Sequence, residues 1–311
     1  MNEKWKKWLI AALCLIAVGV ICIVIAEKRG TTAVDGPRTG IGIIDGFHIR
    51  IEGPWEIGWG SSGTSKHETT AFTAEETASV KELDVCWNAG ELEFSEWDND
   101  YIEARVEYSD ESFKPTFTIE DGIFKVETRD EHPVSIGIGT DNGTYRCEIY
   151  MPDGFSVKRA GMKMNAGRFE MSEGLRSTET LDLELNAGHM DVESINIEKE
   201  CRIEVNAGEL EMQEMTSHES TRISVNAGKA DIEGAFGGDV RAEVNAGALV
   251  FSSSEPLSET SVDMTVNAGA AEINGHQCAG MNRCYVDKAT DRPNSFTAHV
   301  NAGSLIASYE E

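Results

Sequence analysis

LDLELNAGHMDVESINIEKECRIEVNAGELEM, residues 181–212, holds two copies of one tripeptide, at Asn186 and Asn206, each flanked by alternating apolar and polar positions. Asn-Ala-Gly begins at Asn88, Asn165, Asn186, Asn206, Asn226, Asn245, Asn267 and Asn301, with successive intervals of 77, 21, 20, 20, 19, 22 and 34. A near-constant period of this length is the mark of a repeat architecture, in which each unit buries its apolar face only by stacking on the next. Before the tripeptide the apolar positions alternate as Leu183/Leu185, Ile203/Val205, Ile223/Val225 and Met264/Val266; after it they resume as Met190/Val192, Leu210/Met212, Ala230/Ile232 and Leu249/Phe251. Period-two alternation predicts strands with one face buried and one wet. Each unit is therefore strand, corner, strand and a return of about nine residues.

Stacked units place equivalent residues about 4.8 Å apart, the spacing between paired strands. In that arrangement Gly90, Gly167, Gly188, Gly208, Gly228, Gly247, Gly269 and Gly303 supply backbone that a β-carbon would obstruct. The alanines are read as small residues suited to a crowded corner. The asparagines tolerate left-handed geometry, and their amides can donate and accept along a column of copies. The tripeptide is read as a corner and not as a chemical site.

The expected fold is all-β: a parallel β-solenoid (β-helix) of about eight coils of ~20 residues, preceded by one N-terminal transmembrane helix. Residues 8–26, WLIAALCLIAVGVICIVIA, carry no charge and span about 28 Å as a helix at ~1.5 Å per residue, enough for a hydrocarbon core of roughly 30 Å. Trp5 and Trp8 suit the interfacial belt, and Lys4, Lys6 and Lys7 before the span favour a cytoplasmic N-terminus with the remainder outside. A cleaved signal peptide is the competing reading, but its apolar core is shorter and ends in a small-x-small site, which Val24-Ile25-Ala26 fits poorly. The boundaries follow: a cytoplasmic tail over 1–7, the membrane helix over 8–26, a stalk with first strands over 27–80, and the solenoid over 81–311. Within the last, 100–160 is irregular β-structure, 161–273 holds the regular coils, 274–297 is a loop insertion and 298–311 the final coil. The insertion is read as a cap folded over the end of that final coil; an exposed edge for assembly is the alternative. The expected location is the cell membrane, single-pass, with the C-terminal domain extracytoplasmic.

The pattern resembles the bacterial "putative adhesin" β-strand-repeat family, through LDVCWNAGELEFSEWDNDYIEARVEY (83–108), IEDGIFKV (119–126), IYMPDGFSV (149–157) and the Asn-Ala-Gly units that follow. The resemblance covers about residues 80–311. It implies a β-helical fold on an envelope protein and brings no catalytic residues.

Charge narrows the function. The chain has 27 Lys+Arg against 54 Asp+Glu, a net −27. Residues 1–29 carry five basic and two acidic side chains, a net +3 that leaves −30 for the rest of the chain. Such a body repels phosphate backbones, so no nucleic-acid partner is expected. The third residue after each glycine forms an acidic ladder, Glu93, Glu170, Asp191, Glu211, Asp231 and Glu272, interrupted by Val250 and Ile306, with a second column at Glu184, Glu204 and Glu243. The plain reading is a solvated face that keeps the sheet soluble; calcium bridging the carboxylates is the sharper one. Cys278 and Cys284 fall in the long interval between the last two corners, where a local disulfide is expected, with metal binding alongside His276 as the alternative. Cys147 and Cys201 fall on inward positions and are read as buried free thiols.

No nucleophile elbow or phosphate loop is present, and His189, His218 and His299 sit at unrelated points of the repeat. The expectation is a non-enzymatic surface protein with a binding or adhesin-like role toward an unknown protein or glycan, needing no cofactor and held at the membrane by residues 8–26. A regulatory or sensing component of an envelope-stress system is the second reading, and a carbohydrate-active β-helix enzyme the third.

Overall fold

The computed structural model describes residues 47–50, 56–59, 65–108, 114–128, 136–137, 145–172, 174–279, 282–287 and 291–310. The expected membrane segment, 8–26, lies outside these; among the described residues no helix is long and apolar enough to cross a membrane. The described chain is all-β. A small antiparallel sheet joins β1 (Phe47–Arg50), β2 (Glu56–Trp59) and β9 (Ile136–Gly137), and every other strand belongs to one 23-stranded sheet.

That sheet is built on strands either side of the Asn-Ala-Gly corners. The strands before a corner are β4 (Glu82–Trp87), β11 (Ser156–Met164), β13 (Ser177–Leu185), β15 (Asn196–Val205), β17 (Ser220–Val225), β19 (Asp239–Val244), β21 (Thr260–Val266) and β25 (Asn294–Val300). Those after it are β5 (Glu91–Trp97), β12 (Arg168–Met171), β14 (His189–Glu193), β16 (Glu209–Ser217), β18 (Lys229–Phe236), β20 (Ala248–Pro256), β22 (Ala270–Ile273) and β26 (Ser304–Glu310). Each set pairs within itself, in parallel and in register: Leu183 lies against Ile203 and Ile203 against Ile223, while Met190 lies against Leu210 and Leu210 against Ala230. The returns pair as well, Ile197 with Ser217 and Ser217 with Phe236.

Alternation sets the core. Leu183, Leu185, Met190, Val192, Ile203, Val205, Leu210 and Met212 are all buried, as are their counterparts in the other units. Aromatic rings fill the interior near the last units: Phe251 lies 4.8 Å from Phe236 and stacks on Phe296 at 5.4 Å. Each such side chain taken fully out of water contributes about 1.5–3 kcal/mol.

The corners are held by an uninterrupted amide column. Asn165 Nδ2 donates to Asn88 Oδ1, Asn186 to Asn165, Asn206 to Asn186, Asn226 to Asn206 and Asn245 to Asn226, at 2.5–2.8 Å. The bottom of the column is Thr128, whose carbonyl accepts from Asn88 Nδ2 at 3.2 Å. The glycines follow the same file. A β-carbon on Gly167 would lie 2.1 Å from the Gly90 carbonyl oxygen, and one on Gly228 2.3 Å from that of Gly208. Gly167 also takes φ +106, while Gly228 has no such φ, so close approach of backbone is the requirement both share. The left-handed non-glycine residues described are Asp121, Ser194, Glu214 and Asn274, none of them a motif asparagine. The motif alanines Ala207, Ala227, Ala246, Ala268 and Ala302 are exposed, and Ala89, Ala166 and Ala187 are half-buried, so none of the eight belongs to the core.

The order of the last units departs from chain order. Asn301 donates to Asn245 and Asn267 donates to Asn301, at 2.6 and 2.7 Å. β25 pairs with β19 on one side and β21 on the other, and β26 likewise separates β20 from β22. The C-terminal unit is thus inserted between the two that precede it, and the unit at 260–273 is outermost. The expected cap over the end of the final coil is corrected accordingly. After β22 the chain forms β23 (His276–Ala279) and β24 (Asn282–Asp287), which pair antiparallel with β22 and β21, and only then returns to fill the place left for it.

The other end is also antiparallel. β8 (Ile123–Thr128) pairs parallel with β4 and antiparallel with β7 (Pro115–Glu120), through a hairpin turn at Asp121 and Gly122 with φ 52° and 78°. β10 (Arg146–Pro152) pairs parallel with β5 and antiparallel with β6 (Glu103–Tyr108), which carries β3 (Lys66–Ala71) antiparallel on its far side. A short helix, α1 (Ala74–Ser79), follows β3 behind a capping box in which Thr73 and Glu76 satisfy each other's backbone amides.

The amide column gives a direct stability prediction. Asn206→Ala deletes two side-chain bonds and leaves Asn226 Nδ2 without its acceptor. It is expected to cost about 1–3 kcal/mol in denaturant unfolding, whereas Ala207→Ser, one residue on at the surface, shifts stability by less than about 0.5 kcal/mol.

Candidate functional site

The strands after each corner share one outward face, and register determines what stands side by side on it. Glu93 lies against Glu170, Glu170 against Asp191, Asp191 against Glu211 and Glu211 against Asp231. Asp231 meets Val250, Val250 meets Ile306, and Ile306 meets Glu272. The inserted C-terminal unit therefore leaves five of the six ladder carboxylates contiguous and sets Glu272 apart behind two apolar residues. Among the described residues Ile306 is the large hydrophobic side chain that stands exposed, at 50%.

Carboxylates in a row repel one another unless cations intervene. Arg146 reaches Glu93 at 3.0 Å and Arg168 bonds Glu170. Lys229 reaches Glu209, at 2.9 Å, in the neighbouring outward row. In the middle of the ladder, His189, Asp191 and Glu211 bring their ligand atoms within 4.8 Å of one another. On the other strand set Glu184 and Glu204 are neighbours, while Ser224 separates Glu204 from Glu243. The Lys163 ammonium beside Glu184, at 2.9 Å, holds its carboxyl below the usual range. Exposed pairs of this kind contribute only about 0–1 kcal/mol each; their effect is to let an acidic sheet stack.

A second feature of the same face was not singled out from the sequence. Trp97 ends β5 on an outward position, and its ring stacks on that of Tyr150 at 5.3 Å and 29° and meets that of Tyr101 edge-on at 4.9 Å. The Arg105 guanidinium sits 4.5 Å over the Tyr150 ring. Tyr150 Oη donates to Glu148 Oε2 at 2.9 Å, and Trp97 Nε1 to the Tyr101 carbonyl at 2.9 Å. All three rings are half-buried, so each keeps surface in water. The alternation that puts Leu92 and Phe94 inside puts Trp97 outside, and that was the available signal.

The cysteines divide differently from expectation. Cys278 is a free thiol, buried on β23 opposite Ala271, while Cys284 belongs to β24 on the other strand set; the expected Cys278–Cys284 disulfide is not formed. β23 pairs with β22 and β24 with β21, so the two cysteines stand on strands that belong to different sets. Cys147 and Cys201 are free and buried. Burial raises both thiols, Cys201 to about 12.

No family model and no curated protein matches the chain. Solved structures do. One is a putative cell adhesion protein from Clostridium sporogenes, with 15% identity, 80% of this chain and 100% of that chain covered, and a TM-score of 0.33. Another is a putative adhesin from Bacteroides fragilis, with 12% identity, 80% and 100% coverage and a TM-score of 0.43. A third, from Parabacteroides distasonis, is described as a putative lipid binding protein, with 12% identity, 79% and 98% coverage and a TM-score of 0.35. Bacterial proteins of the adhesin description that the sequence motifs resemble are thus among the structures this chain is similar to.

The buried thiols yield a simple check. Because the thiolate is the reactive form, Cys147 and Cys201 are expected to resist iodoacetamide at pH 8 in the native protein and to be alkylated after unfolding in urea, read by peptide mass spectrometry.

Proposed function

We propose that this chain is a non-enzymatic, membrane-anchored binding protein of the cell surface, and that its body is a parallel β-solenoid presenting a glycan-binding face. The solenoid reading is supported by parallel pairing at a repeat of about 20 residues and by the single file of Asn-Ala-Gly corners. The anchor reading rests on the uncharged apolar run at 8–26 and the lysines before it.

The observation that carries the ligand class is the half-exposed group of Trp97, Tyr101 and Tyr150 on the outward sheet face, with Arg105 and Glu148 at its rim. Sugar rings offer C–H faces that pack on aromatic rings and hydroxyls that need charged or polar partners, and this surface supplies both. A rigid sheet holds these groups in place before binding, so little ordering entropy is lost when a ligand arrives. The net charge of the body selects against polyanionic chains and favours neutral or amino-bearing glycans.

Glycan-array binding of the detergent-solubilised full-length protein tests this. The wild type is expected to retain neutral or amino-bearing glycans, and Trp97→Ala with Tyr150→Ala to weaken that binding about tenfold or more while the melting temperature of the solenoid holds. An absence of glycan binding by the wild type, or equal binding by the folded double variant, contradicts the assignment.

A further inference from the structure

The middle of the acidic ladder differs chemically from the end that Glu93 and Glu170 form. Glu93 and Glu170 are each bonded by an arginine, Arg146 and Arg168. Asp191 and Glu211, the next two carboxylates along, have no such arginine among the described residues, and Asp191 Oδ1 is buried without a hydrogen-bond donor. A buried carboxylate oxygen left unpaired is destabilising, because it has lost water and gained no donor in exchange. The side chain beside it on the same strand face is an imidazole, His189, two positions back on β14. Glu211 reaches in from the neighbouring strand, because Asp191 and Glu211 are direct register partners. Lys229, in the adjacent outward row, is engaged by Glu209 at 2.9 Å.

The geometry points to a divalent-cation site of the zinc type formed by His189, Asp191 and Glu211. The ligand atoms already lie within 4.8 Å of one another, and modest side-chain rotation brings them around one ion at about 2.0–2.2 Å. An imidazole with two carboxylates suits zinc over calcium, which takes six to eight oxygen ligands, and an outward ladder of single carboxylates does not assemble that number. A cation here supplies the missing partner of Asp191 and links β14 to β16 across the face. Three protein ligands leave a coordination position directed at solvent, where an oxygen of a bound molecule fits. The site stands independently of the aromatic group of Trp97, Tyr101 and Tyr150.

Isothermal titration of the detergent-solubilised full-length protein with zinc chloride tests the site. One equivalent is expected to bind, and both His189→Ala and the pair Asp191→Asn with Glu211→Gln are expected to weaken it about tenfold or more. Glu272→Gln, in the same column but beyond Val250 and Ile306, is expected to leave the affinity unchanged. Substitution by cobalt(II) gives a second readout: ligand-field absorption that includes the imidazole disappears in His189→Ala even where the variant keeps its melting temperature. The inference is overturned if zinc fails to bind, if either set of variants binds it as the wild type does, or if equimolar calcium displaces it.

Discussion

Backbone meets backbone at the Asn-Ala-Gly corners, and the rest of the molecule is arranged around that contact. Successive glycines come so near that a β-carbon on Gly167, Gly188 or Gly228 would lie 2.1–2.3 Å from the carbonyl oxygen of the glycine beneath. Only glycine permits this, and the approach fixes the height of each unit to one strand spacing. The asparagine amides then align beside it, each donating to the copy below and accepting from the copy above, from Asn267 at one end to Thr128 at the other. A hydrogen-bonded file of this kind is polarised along its length, and each bond strengthens its neighbours. With the corner fixed, strand register is fixed, and with register comes the division into a buried apolar face and a wet charged one.

Surface chemistry follows from the same constraint. Residues at equal distance from the corner are forced into columns, so an acidic residue repeated in sequence becomes an acidic ladder in space. Arg146, Arg168, Lys199 and Lys229 each bond a carboxylate of an outward row, and all but Arg168 reach to an adjoining strand to do so. The ladder is interrupted where the C-terminal unit brings Ile306 beside Val250. At both ends the parallel stack gives way to antiparallel strands, β7, β6 and β3 below and β23 and β24 above, which cover edges that would otherwise offer free amides and carbonyls.

The all-β class, the buried positions and the stacked corners were legible because each depends on a local period, a short one for the strands and a longer one for the corner. Leu183, Ile203 and Ile223 could be assigned to one file from spacing alone. Spatial order has no such local signature. Nothing in the interval between Asn267 and Asn301 states that the later corner settles beneath the earlier one; its unusual length records only that the chain travels further before returning. The free Cys278 thiol has the same kind of origin, since spacing does not state that β23 and β24 join different strand sets. The aromatic group has no local signature because Tyr150 is remote in sequence from Trp97 and Tyr101 and reaches them only through the pairing of β5 with β10. The His189 position was visible as a residue, but its meeting with Glu211 depends on register between units.

The order of the corners can be measured directly by cross-linking. Ala246, Ala268 and Ala302 are exposed corner residues, and neighbours in the file stand about 4.8 Å apart, within the Cα separation a disulfide spans. Cysteine pairs placed at 246 with 302, and at 302 with 268, are expected to oxidise rapidly to intramolecular disulfides, while the pair at 246 with 268, two strand spacings apart, is not. Rapid closure of the 246 with 268 pair and none at 246 with 302 would show the corners piled in chain order and contradict the account.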